Sequence, residues 1–451
     1  MTKYSRQTLV FSLFALVSAL PAAEVTVTSL AELAEYASQD GNTVTLAPGT
    51  YQLDEFLTEK VCKERREKEE FTLLNFSGSN NTFIFKDSEI IHNTQIRSWL
   101  RPPTHSNEFV ISGNNNSFSD LSIRCTGQFT SRGGALVQFS GRNNRLARGR
   151  FFVQGSSPYG YGDLFGKGGQ NVIPHAKHSG VLITGDGTQL THCQLVMRSF
   201  GHGYFLQQDC ADVVLSNCRV EGEMRESDDI LKETDTRAAE VGFRTMIRTR
   251  GGEHKVLPGY IKSLCEDGFR TYGTHKNLVI RDCIAVNMRG GYEIRNQAGG
   301  LLENCQALGC ERGFWVTSGA RVKNALSDHL NGPALFVEGE GAEVELRVKG
   351  GRSPHTLHSL ATICGTRHKI HLRPAELIGN GSLTTPIMLG HTPPPAGENM
   401  APYNTRKTEQ VNLRNETEAP VEVSETAADC EITSQARVKV DPKAQRIRVN
   451  K

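Results

Sequence analysis

Residues 269–310 read FRTYGTHKNLVIRDCIAVNMRGGYEIRNQAGGLLENCQALGC, and the stretch repeats one pattern twice. A strand-like run (Phe269 FRTYG, then Tyr292 YEIRN) leads through a turn to a second short run, LVIRDC or LLENC. Working outward, comparable first runs begin at Phe109 (FVISG), Leu136 (LVQFS), Val181 (VLITG), Tyr204 (YFLQQ), Phe314 (FWVTS) and Ala334 (ALFVE). In chain order the intervals are 27, 45, 23, 65, 23, 22 and 20 residues, so the regular step is near 22. The 45 is two rungs or one rung with an insertion, and the 65 holds a long irregular insertion. A period of 20 to 25 residues made of short β runs, with almost no helical periodicity, predicts an all-β parallel β-helix. Each coil buries its apolar face only by stacking on the next. The L-x-x-L-x-L spacing of a leucine-rich repeat is absent, and a propeller blade needs about 40 residues.

This reading changes what the length means. A chain of 451 residues suggests about three domains by default. One solenoid over residues 24–451, with an irregular insertion at about 221–263, accounts for it instead. Hydrophobic residues at 37%, with 44 Gly, exclude wholesale disorder. The eleven Cys recur in one slot: Thr191-His192-Cys193, Ser216-Asn217-Cys218, Arg281-Asp282-Cys283 and Glu303-Asn304-Cys305. Repetition in one slot predicts thiols stacked inside the solenoid as small hydrophobes, ahead of disulfides.

Residues 1–23 have the order of a secretory signal peptide: Lys3 and Arg6, an apolar run from Thr8 to Leu20, then Pro21-Ala22-Ala23. Export to the periplasm or the extracellular space is expected. Losing two of 51 basic residues leaves 49 against 49 acidic, so net charge offers nothing to nucleic acid. No second apolar run of spanning length occurs, so no membrane insertion is expected, and a monomer is.

Glu24 to Gln52, EVTVTSLAELAEYASQDGNTVTLAPGTYQ, resembles the N-terminal cap of right-handed parallel β-helix proteins of the pectate-lyase-like superfamily. A short helix at about Leu30 to Ser38 would close the open end of the core, with TVTLAPGTY as the first coil. The chondroitinase B and alginate lyase group opens in a similar way. The coils LTHCQLV and LENCQAL extend the likeness. The resemblance implies a right-handed parallel β-helix solenoid acting on an anionic polysaccharide or oligosaccharide. It also implies calcium as the one cofactor to consider, although the lysine, arginine and calcium-ligand pattern of the chondroitinase B group is not complete here.

Alternation along the strands predicts which side chains face out. Tyr204, Phe269, Tyr292, Phe314 and Ala334/Phe336 are expected inward. Phe205/Gln207, Arg270/Tyr272, Glu293/Arg295, Trp315/Thr317 and Leu335/Val337 are expected outward. His202, Glu266, Asp267, Arg289, Glu311 and Arg312 stand at the turns entering these strands. A cross-coil ladder of salt bridges accounts for such a face; so does a saccharide groove with the insertion 221–263 as one wall. In the groove reading Trp315 stacks on a sugar, while Arg270, Arg289, Arg295 and Arg312 hold carboxylate or sulfate. β-Elimination at a uronic acid needs a base at C5, a cation on the carboxylate and an acid at the leaving oxygen. Lys262 and His202 are candidate bases, Tyr272 or Arg270 the proton donor, and Arg295 the clamp, oriented by Glu293.

Two other readings stand beside the lyase. A glycoside hydrolase needs two carboxylates across the bond. Polygalacturonase-like enzymes carry paired Asp before Gly-His-Gly; here Gly201-His202-Gly203 precedes Asp228-Asp229, and Glu266/Asp267 with Glu293 is another possible pair. The third reading is a non-catalytic adhesive solenoid. His175, His178 and His192 lack metal-ligand spacing and read as loop or surface residues. Pro158 to Gly169, PYGYGDLFGKGG, lacks a Walker ending and reads as a groove loop.

Overall fold

Capping comes first in the chain and in the fold. Ser29 accepts a hydrogen bond from the Glu32 N–H, and Glu32 in turn accepts from the Thr28 N–H at 2.7 Å, so the helix Leu30–Ala37 (α1) starts with its amides satisfied. Its Leu30, Leu33 and Ala37 are buried against the first coil. The computed structural model describes residues 24–129, 133–168, 171–246, 248, 253–349, 359–375, 385–392 and 404–451. The leader 1–23, His355 and Pro393-Pro394-Pro395 lie outside the described residues.

From that cap the chain winds as the predicted all-β right-handed parallel β-helix. Among the described residues one sheet has 13 parallel strands, a second has 23 and merges its ladders at Ala320–His329, and the short strands Gly365–Thr366, Thr408–Glu409 and Ala427–Ala428 form a third. Four strands of the 13-stranded sheet carry the site: β1 (Tyr204–Leu206), β2 (Phe269–Thr271), β3 (Gly290–Ile294) and β4 (Arg312–Val316). Their inward rings stack from coil to coil. Phe269 and Tyr292 centroids lie 4.8 Å apart and Tyr292 and Phe314 4.7 Å, each pair within 3° of parallel.

The Cys slot has a local cause. The residue before each of the four thiols (His192, Asn217, Asp282, Asn304) has φ between 53° and 56°, the left-handed corner that Asn and Asp tolerate best. The following Cys then points inward. All eleven Cys are buried and none forms a disulfide. A second signature, Gly just before each strand, follows from crowding. A Cβ on Gly203 would stand 2.7 Å from Val220 Cγ2, and one on Gly268 2.8 Å from Ala285 Cβ.

Register needs two corrections. Val137, not Leu136, pairs with Phe109 and Val181, and Leu335, not Ala334, pairs with Phe314. Leu335 and Val337 therefore join the core, and Phe336 faces outward against Trp315, their centroids 5.1 Å apart. The strands Ala135–Phe139 and Ser179–Ile183 pair directly, so the long interval between them is one rung with an insertion, residues 155–178.

The charged stretch Glu59–Glu67 is a helix whose one buried residue is Cys62. The insertion after Glu221 starts and ends in an antiparallel hairpin, Met224–Glu226 with Ile261–Ser263. It packs on the 155–178 insertion through a small separate core that includes Tyr161, Phe165, Ile230 and Val256. Among the described residues no helix is long and apolar enough to cross a membrane.

Candidate functional site

Four consecutive coils bring the outward charges together as the alternation predicts, but the two insertions lie over them. His202, Lys262, Glu266, Asp267, Arg270, Arg289, Glu293, Glu311 and Arg312 are each at most 5% exposed. A buried charge persists only if paired, and these are. Arg289 holds Asp267 with Nη2–Oδ2 at 2.8 Å and Nε–Oδ1 at 3.2 Å, and reaches Asp163 of the first insertion at 3.0 Å. Arg270 pairs with Glu293, which also meets Arg295 at 3.3 Å and Arg312 at 3.9 Å. Lys262 is enclosed between Asp163 and Glu311.

The open part of this face is a cavity of about 840 Å³. His202, Glu266 and Tyr272 form its solenoid side, above a floor of Leu182 and Phe205. Lys167, Gly168, His175 and Lys177 of the 155–178 insertion form the facing wall, and Asn107 and Gln207 lie on its rim. The predicted wall is therefore corrected: the 221–263 insertion supports the groove from behind, and the earlier insertion lines it. Pro158 to Gly169 does shape the groove, through Lys167 and Gly168.

His202 Nε2 lies 2.9 Å from the Tyr272 hydroxyl and 3.4 Å from Glu266 Oε2, with Asp267 3.5 Å from Nδ1. Carboxylates stand near both ring nitrogens; in the tautomer with its proton on Nδ1, Nε2 accepts from the Tyr272 hydroxyl. Burial pushes His202 down to about 4 against the pull of Glu266 and Asp267, so the ring is neutral near pH 7. Burial alone would raise the Glu266 carboxyl; His202, Lys177 and Arg289 outweigh it and bring it down to about 2. Lys177 Nζ is 2.8 Å from Glu266. Burial pushes Lys167 down to about 8 against the attraction of Asp163. The Tyr272 ring lies under the Arg270 guanidinium at 4.4 Å.

Each predicted site residue now has a place. His202 and Tyr272 line the cavity. Arg270, Arg289, Glu293 and Arg312 form the buried network behind it, and their charges are already spent on carboxylates. Lys262 is shut away from the cavity, which corrects its expected position beside a substrate. Arg295 and Trp315 belong to each other: the guanidinium sits 4.7 Å over the indole, whose Nε1 donates to Glu338 at 3.0 Å. Trp315 is thus covered and offers no open platform. Asp228 accepts from the Gly259 N–H and Asp229 pairs with Lys232, so neither lines the groove. His175, predicted as a loop or surface residue, is buried and stacked on Phe200 at 4.3 Å; His178, predicted alike, is buried beside Glu108 and Arg97. Lys167 lay in the predicted groove loop without being singled out, and Lys177 and Asn107 were not foreseen; the overlong rung was the signal for Lys177, and Asn107 had none.

The carboxylates do not suit calcium. Asp163, Glu266, Asp267, Glu293 and Glu311 are each held to Lys or Arg, and among the described residues no group of three or more His, Cys, Asp or Glu could hold a metal ion.

No protein-family model and no curated protein sequence matches the chain. Among solved structures it is similar to the alginate lyase AlyF-OU02 in complex with G6 (12% identity, TM-score 0.41, 94% of this chain and 80% of that one). It is also similar to the endo-xylogalacturonan hydrolase from Aspergillus tubingensis (11%, 0.37, 94% and 95%) and to PfbA, a surface adhesin of Streptococcus pneumoniae (9%, 0.36, 93% and 84%). At these identities and scores no reaction and no residue's role is carried over.

Proposed function

We propose that the protein is an exported polysaccharide lyase that cleaves a uronic-acid-containing anionic polysaccharide by β-elimination in the His202–Tyr272 groove. The observation that carries this reading is a neutral imidazole in contact with a phenol, in a wall otherwise supplied with ammonium groups. His202 Nε2 takes the C5 proton, and the electron pair left behind forms the C4=C5 double bond. The C4–O bond breaks, and the leaving oxygen takes a proton from Tyr272. Lys167 and Lys177 lie where they can hold the sugar carboxylate and stabilise charge developing on it. Asp267 orients the imidazole, and Arg289 holds Asp267.

Hydrolysis is less well served. Among the described residues Glu266 is the one carboxylate on the cavity wall, and at about 2 it is too acidic to keep a proton for a leaving group. Glu293 and Glu311 are raised by burial, with Asp267 and Asp163 respectively adding to it, but neither lines the cavity.

Incubation with a panel of uronic-acid polysaccharides tests the proposal. The expected result is new absorbance from unsaturated uronide ends, lowered about 10²-fold or more in Tyr272→Phe with the fold retained. New reducing ends without that absorbance would establish a hydrolase, and tight binding without cleavage an adhesive solenoid.

A further inference from the structure

The outward face of the 13-stranded sheet changes character at β2. From there onward its first outward column reads Arg270, Glu293, Trp315, and the next column Tyr272, Arg295, Thr317. In the five coils before it the same positions are all uncharged. The first column holds Asn75, Val110, Gln138, Leu182 and Phe205, and the second Ser77, Ser112, Ser140, Thr184 and Gln207.

This half is also more open than the other, apart from the buried Leu182 and Phe205. Asn75, Ser112 and Gln207 are exposed, and Gln138 and Thr184 are half-buried. The amides form a line: Asn107 Nδ2 donates to Gln138 Oε1 at 2.8 Å, and Gln138 Nε2 donates to Thr184 Oγ1 at 3.2 Å. The His202–Tyr272 cavity runs into this line, because its lining extends from Tyr272 back to Asn107. Those residues span four coil steps, about 19 Å at roughly 4.8 Å each, the reach of several sugar units.

We infer that the substrate is a heteropolysaccharide in which the uronate held at His202 and Tyr272 is flanked, toward the N-terminal coils, by uncharged sugars. The reading rests on the proposed site and names what that site accepts. Hydroxyls suit a surface of amides and hydroxyls, each side able to donate and accept. The buried apolar floor of Leu182 and Phe205 suits the C–H face of a neutral ring. A second uronate there would place a carboxylate against outward side chains that bring no cation; of the other groups lining the cavity, Lys167 and Lys177 on the facing wall are engaged by the first uronate, and the His105 imidazole lies at the far rim. A homopolyuronate therefore gains at one end of the groove and loses along the rest.

Two hexasaccharides are the probes, one of uronate alternating with a neutral hexose and one of uronate alone. Binding is measured by calorimetry to the full-length Tyr272→Phe protein, which turns them over at least about 100-fold more slowly. The alternating hexamer should bind about tenfold more tightly. Gln138→Ala and Gln207→Ala, each in that background, should weaken it roughly three- to tenfold and leave the homouronate within about twofold. Gln207 is exposed, so its variant keeps the fold if Gln138→Ala does not. Equal or tighter binding of the homouronate, no effect of either glutamine, or no binding of either hexamer overturns the inference. The predicted preference, found together with wild-type protein that makes no unsaturated product, would overturn the lyase reading alone.

Discussion

Two halves of one sheet face share backbone, strand length and coil spacing, yet they solve opposite problems. The half from Arg270 onward lies under two insertions, and every charge there is matched by another. The half before Phe269 is open apart from the buried Leu182 and Phe205, and carries no charge on its outward columns. The difference teaches which residues can meet a ligand. Burial converts Arg270, Arg289 and Arg312 from candidate substrate clamps into supports, because each is committed to Asp267 or Glu293. Where the halves meet, His202 and Tyr272 are backed by the paired network and face the open side.

The sharpest way to break this contrast is to remove a support. Arg289→Ala leaves Asp163, Glu266 and Asp267 without a shared cation inside the protein, and should cost about 3–5 kcal/mol of stability. Thermal or urea unfolding measures it. By contrast Gln207→Ala on the open half should stay within about 0.5 kcal/mol. If Arg289→Ala were as mild as Gln207→Ala, the network would not be a support.

Acid titration separates the halves next. His202 sits at about 4 in the fold against an ordinary 6.5, so the unfolded chain takes its proton first as pH falls. Its contribution is intact above about 6.5 and lost between 6.5 and 4. Glu266, at about 2 against 4.5, adds stability that is present above 4.5 and lost as pH drops toward 2. Stability against pH should therefore show both limbs; His329, also at about 4, shares the upper one, so His202→Gln should shrink that limb and also soften the lower, because His202 helps to hold Glu266 down. The smallest effect belongs to the facing wall: Lys167→Ala should raise KM for an anionic substrate roughly three- to tenfold with little change in kcat.

Much of the solenoid was legible because it repeats. Gly before a strand, Asn or Asp before Cys, and inward Tyr204, Phe269, Tyr292 and Phe314 all follow from stacking one coil on another. The register slips at Leu136 and Ala334 have a plain cause. Both runs lie in unbroken apolar stretches, Ala135-Leu136-Val137 and Ala334 to Val337, and a period of two cannot choose a phase there. The outward columns around Arg270 were also legible, but their burial was not. What covers them is irregular chain held by a small core of Tyr161, Phe165 and Ile230, and it has no repeat from which to read its position. Hence Lys262 and Trp315 looked available, while Lys177 on the covering loop went unseen and Lys167 was read only as part of a groove loop.

The most direct test of the central claim is the mass of the products from a defined uronate oligosaccharide. Elimination adds nothing, so the two fragment masses should sum to that of the substrate, with the unsaturated end on one of them. Fragments that together exceed the substrate by one water would contradict β-elimination at His202 and Tyr272.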